Sequence, residues 1–123
     1  MKEYISKMEL EHCMQVKAIF QKLSENNDFC VVDAYPFGCV VLEWFMPERG
    51  FDQQVYFTDA SELFDYLLEL WEKIYLFEME KIYGNTEMSE EEVRKILPDE
   101  RKKEMADIRK NYIMQYEQRS VNW

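Results

Sequence analysis

The stretch SELFDYLLELWEKIYLFEMEKIYG, residues 61–84, decides the fold. It reads as one long helix. Leu63, Phe64, Tyr66, Leu67, Leu68, Leu70, Trp71, Ile74, Tyr75, Phe77, Met79 and Ile82 spread over roughly 220° of a wheel turning about 100° per residue. A single neighbour cannot cover so wide an apolar arc. The helix is expected to lie on a sheet with one flank and against another helix, or a second protein, with the other. Thr58, Asp59 or Ser61 is placed to cap its start, and Glu62 in the first turn suits the helix dipole. Glu62, Asp65, Glu69, Glu72 and Glu80 take the polar arc that remains, interrupted by Lys73. Such a row is either the solvated face of an amphipathic helix or a docking strip for basic side chains of a partner. Arg101, Lys102 and Lys103 of the last helix are candidates to neutralise it from within.

Upstream, residues 29–58 are rich in β-branched and aromatic residues and predict three antiparallel strands in a meander. YPFG, residues 35–38, matches a type I turn with Pro36 second and Gly38 fourth, and PERG, residues 47–50, joins the second strand to the third. Closing the first hairpin on Tyr35 and Gly38 sets Val31 opposite Leu42 and Val32 opposite Val41. Closing the second on Met46 and Phe51 sets Leu42 opposite Val55 and Val40 opposite Phe57. One face then carries Phe29, Val31, Val40, Leu42, Trp44, Val55 and Phe57, the expected core side. The other carries Cys30, Val32, Cys39, Val41, Glu43, Phe45, Gln54 and Tyr56. A slip of one residue exchanges these faces.

Residues 3–25 predict an N-terminal helix with Ile5, Met8, His12, Val16, Ile19, Phe20 and Leu23 on one stripe. Downstream, Ser89 and Glu92 form a capping box. Pro98 interrupts, and Asp99 starts a helix to about residue 119 with a stripe of Met105, Ile108, Tyr112 and Tyr116. Tyr66, Tyr75, Tyr112 and Tyr116 suit a helix–helix seam or an exposed groove. The expected fold is α+β in a single domain, residues 1–123: an N-terminal helix, a three-stranded antiparallel meander, a long amphipathic helix and one or two C-terminal helices.

The 123 residues carry a net charge of −10, with 47% hydrophobic and 15% aromatic residues, enough for one core. Free nucleic acid and anionic membrane are disfavoured partners, and a basic protein is the natural one. The charge is uneven. Residues 61–88 hold seven acids and two bases, a net of −5, whereas residues 89–123 hold eight of each. Three cysteines, no run of apolar residues approaching about 20, and no leader-like N-terminus predict a reducing cytoplasm.

No catalytic constellation stands out. His12 is the only histidine and falls on an apolar stripe, where a hydrogen-bonded core role is expected. Cys30 and Cys39 sit on neighbouring strands without C-x₂-C spacing, so no metal is expected. Glu69 and Glu72 form E-x-x-E without the histidines a di-iron site requires. With three glycines there is no phosphate-cradling loop, and no cofactor is expected. Trp44, Phe45, Met46 and Phe51, with Arg49, instead gather the residue types enriched in interface cores around one hairpin.

The general character is that of compact inhibitor or immunity proteins, an analogy of type alone. The expectation is a non-enzymatic module that neutralises a basic, nucleic-acid-acting partner such as a nuclease. Glu62, Asp65, Glu69, Glu72 and Glu80 would meet it, with Glu43, Phe45 and Tyr56 as further contacts. The alternative is a homodimer closing over the apolar arc of residues 61–84. A small carboxylate or cysteine enzyme is the third reading.

Overall fold

The computed structural model describes residues 4–25, 29–43, 53–84 and 87–123. Its elements run α1 Lys7–Ile19, α2 Gln21–Glu25, β1 Phe29–Asp33, β2 Cys39–Glu43, β3 Gln53–Phe57, α3 Ala60–Tyr83, α4 Glu90–Ile96 and α5 Asp99–Ser120. This is the expected α+β layout, with a sheet in the order β1-β2-β3. No helix among the described residues is long and apolar enough to cross a membrane.

Local chemistry sets most element ends. Ser6 caps α1 by accepting from the Glu9 backbone N–H at 3.1 Å. Asp59 caps α3, accepting from the Ser61 N–H at 2.7 Å. Ser89 and Glu92 close the capping box at the start of α4. The single N-terminal helix expected over residues 3–25 is two pieces, because the chain tightens at Phe20, whose N–H bonds to the Lys17 carbonyl. The buried stripe of α1 is also displaced. Cys13, Val16 and Ile19 point inward, whereas Met8 is 62% exposed and His12 only half-buried.

Both strand registers differ by one residue from expectation. Val31 faces Val41, Val32 faces Val40, Cys39 faces Phe57 and Val41 faces Val55. In the first hairpin the turn closes on Ala34, not Tyr35. The Phe37 N–H donates to the Ala34 carbonyl at 2.8 Å, and the Ala34 N–H to the Gly38 carbonyl at 2.9 Å. Tyr35, Pro36 and Phe37 fill the loop, with a cis Tyr35–Pro36 peptide and the Asp33 carboxylate accepting from the Tyr35 N–H at 2.7 Å. Gly38 ends the turn at φ 129°, where an added Cβ would fall 2.4 Å from the Phe57 carbonyl oxygen. Only glycine fits there. The expected second closure, on Met46 and Phe51 across PERG, lies outside the described residues, as do Trp44 and Arg49.

The slip turns β2 over. The inner face carries Phe29, Val31, Cys39, Val41, Val55 and Phe57, together with Glu43. Cys30, Val32, Val40, Leu42, Gln54 and Tyr56 lie on the outer face. Strands β1 and β3 thus present the expected residues inward, and β2 presents the opposite set.

The core forms where α3 crosses the inner face beside α1 and α5. Leu63 and Leu67 are fully buried. Phe20 stacks on Tyr112 at 4.5 Å and Phe64 on Tyr116 at 4.4 Å, and Trp71 meets the edge of Tyr112 at 5.6 Å. Each such pair adds about 0.5–1.5 kcal/mol beyond area burial. Helix α5 has no fully buried residue; it closes the core with its expected Met105, Ile108, Tyr112 and Tyr116 stripe, widened by Ile113.

Candidate partner-binding groove

The acid row of α3 does not stay on one open face. Glu62, Asp65 and Glu69 are exposed and take part in none of the described ion pairs. Glu72 is already paired, to Arg94 of α4 at 3.0 Å and Arg109 of α5 at 3.8 Å, with its side chain 22% exposed. Leu76 stands four residues after Glu72 and four before Glu80, so it shares their side of the helix. It is 1% exposed. Glu80 is half-buried and accepts a long 3.4 Å bond from the Met88 N–H. The C-terminal half of the row therefore lies beneath the α4 segment, whose Val93 and Leu97 complete the core there. The internal cations are Arg94 and Arg109. Arg101, which sequence suggested, instead bonds Glu104 at 3.1 Å and the Tyr83 hydroxyl at 3.3 Å.

As one side of α3 is covered, another opens. Leu70 and Ile74 are half-buried, and Phe77 and Ile82 are 58% and 61% exposed. Leu70, Ile74 and Phe77 line a cleft of about 1030 Å³ that runs from the end of the sheet, at Phe29, to the start of α4, at Met88. Among the described residues, five carboxylates besides the buried Glu43 border it, namely Glu69, Glu78, Glu80, Glu87 and Glu90, against Lys73 and Lys81. The Lys81 ammonium sits 4.5 Å above the Phe77 ring.

The sheet end of the cleft is built from Glu43, Tyr66 and Gln53. Glu43 ends β2 on the inner face and is 7% exposed. The Tyr66 hydroxyl donates to its carboxylate in a short hydrogen bond, and the Gln53 side-chain N–H donates to Tyr66 at 3.4 Å. Burial, then the bond to Glu43, pushes the Tyr66 phenol well above its ordinary range. The register slip thus converts Glu43 from an expected partner contact on the outer face into a buried anchor. Tyr66 was one of four tyrosines expected at a seam or groove. It lines the cleft, whereas Tyr112 and Tyr116 fill the seam with α5.

Tyr56 is 55% exposed on the outer sheet face, away from α3, and Phe45 lies outside the described residues. His12 is not a core histidine. It stacks at 4.2 Å on Trp123, whose indole N–H donates to Gln15 at 3.1 Å. Cys13 and Cys39 are both fully buried, and all three cysteines are free. Among the described residues no group of three or more His, Cys, Asp or Glu side chains is placed to hold a metal ion.

Comparison with protein-family models, with curated proteins and with solved structures finds no match.

Proposed function

We propose that this chain is a non-catalytic binding module that takes up a basic protein along α3, an inhibitor or immunity-type role against a nucleic-acid-acting enzyme. The observation that carries the reading is the continuity of charge and grease. The exposed carboxylates Glu62, Asp65 and Glu69 lead into a cleft with an apolar floor and an acidic rim. Carboxylates spaced along a helix offer a cationic cleft what phosphates offer it, and the apolar floor supplies desolvated contact area. Three free thiols suit a reducing compartment, and the cytoplasm is the one we propose.

The homodimer reading draws on the same helix. Nine residues of α3 are already buried in the chain's own fold, so a second copy would find chiefly Phe77 and Ile82 wide open.

The test is capture from the native lysate by the wild type and by the triple variant Glu62→Lys, Asp65→Lys, Glu69→Lys, each washed at low and high salt. A basic partner held by the wild type, released at high salt and absent from the triple variant is the expected result. A partner held equally by both proteins overturns the acidic face as the recognition surface.

A further inference from the structure

We infer that the segment of the partner seated in the α3–α4 cleft is a basic amphipathic helix, with its apolar face on Leu70, Ile74 and Phe77 and its cations on the acidic rim. The basic partner of the preceding reading is taken as given, and the inference specifies what part of it binds and how.

Backbone chemistry supports a helix. Most of the cleft lining consists of side chains of α3, with Phe29, Met88 and Val93 at its ends, and the backbone groups of α3 are engaged within the helix itself. Among the described residues, a chain laid along the α3 side of the cleft meets side chains and no free backbone donors or acceptors of that helix. A strand buried there would leave its own N–H and C=O groups unsatisfied, whereas a helix satisfies them internally. Strand addition needs a sheet edge, and β1 and β3 reach the cleft only through their end residues Phe29 and Gln53.

Geometry agrees. Leu70, Ile74 and Phe77 recur at four- and three-residue spacing, the ridge that a second helix packs against. The α3 side of the cleft extends from Tyr66 to Lys81. That is about 22 Å at 1.5 Å per residue, or about four turns of a bound helix. Charge selects its sequence. Among the described residues, five rim carboxylates against two lysines favour Lys and Arg flanking the apolar face. Phe77, 58% exposed, is the natural anchor.

The test uses two synthetic labelled peptides of about 16 residues. One is a Leu/Lys sequence with leucines at i, i+3, i+4 and i+7. The other is an isomer of identical composition with no apolar face. Binding is measured by fluorescence anisotropy at physiological ionic strength, and helicity by circular dichroism. The ordered peptide is expected to gain helicity and to bind about tenfold tighter or more, the scale of burying one aromatic ring. Phe77→Asp is expected to abolish that preference. The variant adds an acid, so charge alone predicts stronger binding, and Phe77 is exposed enough for the fold to survive. Equal, salt-sensitive binding of both peptides overturns the helix while leaving the acidic-face reading intact. Absence of binding by either peptide overturns both. A preference that survives Phe77→Asp overturns the placement in this cleft.

Discussion

Cys13 and Cys39 come from α1 and β2 and meet in the core, both fully buried. The hydrogen bond the Cys39 thiol donates to Cys13, then burial, pushes that thiol far above its ordinary range. Cys30, on the outer sheet face, is half-buried. A thiol reagent is expected to titrate Cys30 in the native protein and all three cysteines only after denaturation. Rapid modification of Cys39 in the native state would contradict the register. Tyr75 behaves in the same sense at high pH. Burial, then its 2.7 Å bond to Glu104, pushes its phenol up to about 12. An unfolded tyrosine ionises near 10. Between these values the unfolded chain has lost a proton that the folded chain keeps. The stability contributed by this shift is therefore complete below about pH 10 and is lost as pH rises toward 12. Urea unfolding across this window is expected to show a shallower decline for Tyr75→Phe than for the wild type. At neutral pH that variant is expected to cost about 1 kcal/mol for its lost hydrogen bonds.

Helix α3 shows how far a helical wheel carries. Its ends and length are local properties: sequence offered Thr58, Asp59 or Ser61 as the cap and a break at Gly84, and the structure uses Asp59. Its buried stripe is not local. It winds around the helix because the neighbours change from the sheet, at Phe57 beside Tyr66, to α4, at Arg94 beside Glu72. Leu76 was the available signal, an apolar residue standing within the acid row. Leu76→Ala is expected to lose about 2–4 kcal/mol in chemical denaturation, as for other fully buried leucines. Glu69→Ala, on the open part of the same row, is expected to stay within about 0.5 kcal/mol. Glu72→Gln removes contacts to Arg94 and Arg109 that are partly exposed, and a loss of no more than about 1 kcal/mol is expected. Equal losses at positions 69 and 76 would show that the row is uniformly exposed or uniformly covered.

For the molecule as a whole, the grease of α3 is largely spent on the chain's own core, and the acidity is left outside. Sedimentation is therefore expected to return a monomer of 15.1 kDa at micromolar concentration. A concentration-dependent dimer lost on Phe77→Asp would instead favour the second-copy reading. The order of elements, the α+β class, the caps and the acidic bias were legible in the sequence because each depends on residues within a few positions of one another. The exposed carboxylates Glu62, Asp65 and Glu69 were legible for the same reason: among the described residues no neighbouring element covers the first turns of α3 on that side. Three things were decided only in three dimensions. The turn at Ala34–Gly38 set the register and moved Glu43 from the expected outer face to the inner one. Helix α4 closed over Leu76 and drew Glu72 to Arg94. The cleft arose between α3, the sheet end and α4, from Phe29 to Val93. Hydrogen bonding within a turn or helix is read over three or four residues. Which face of a strand or helix ends up covered depends on closure geometry and on packing between distant segments, and a periodic pattern leaves that choice open.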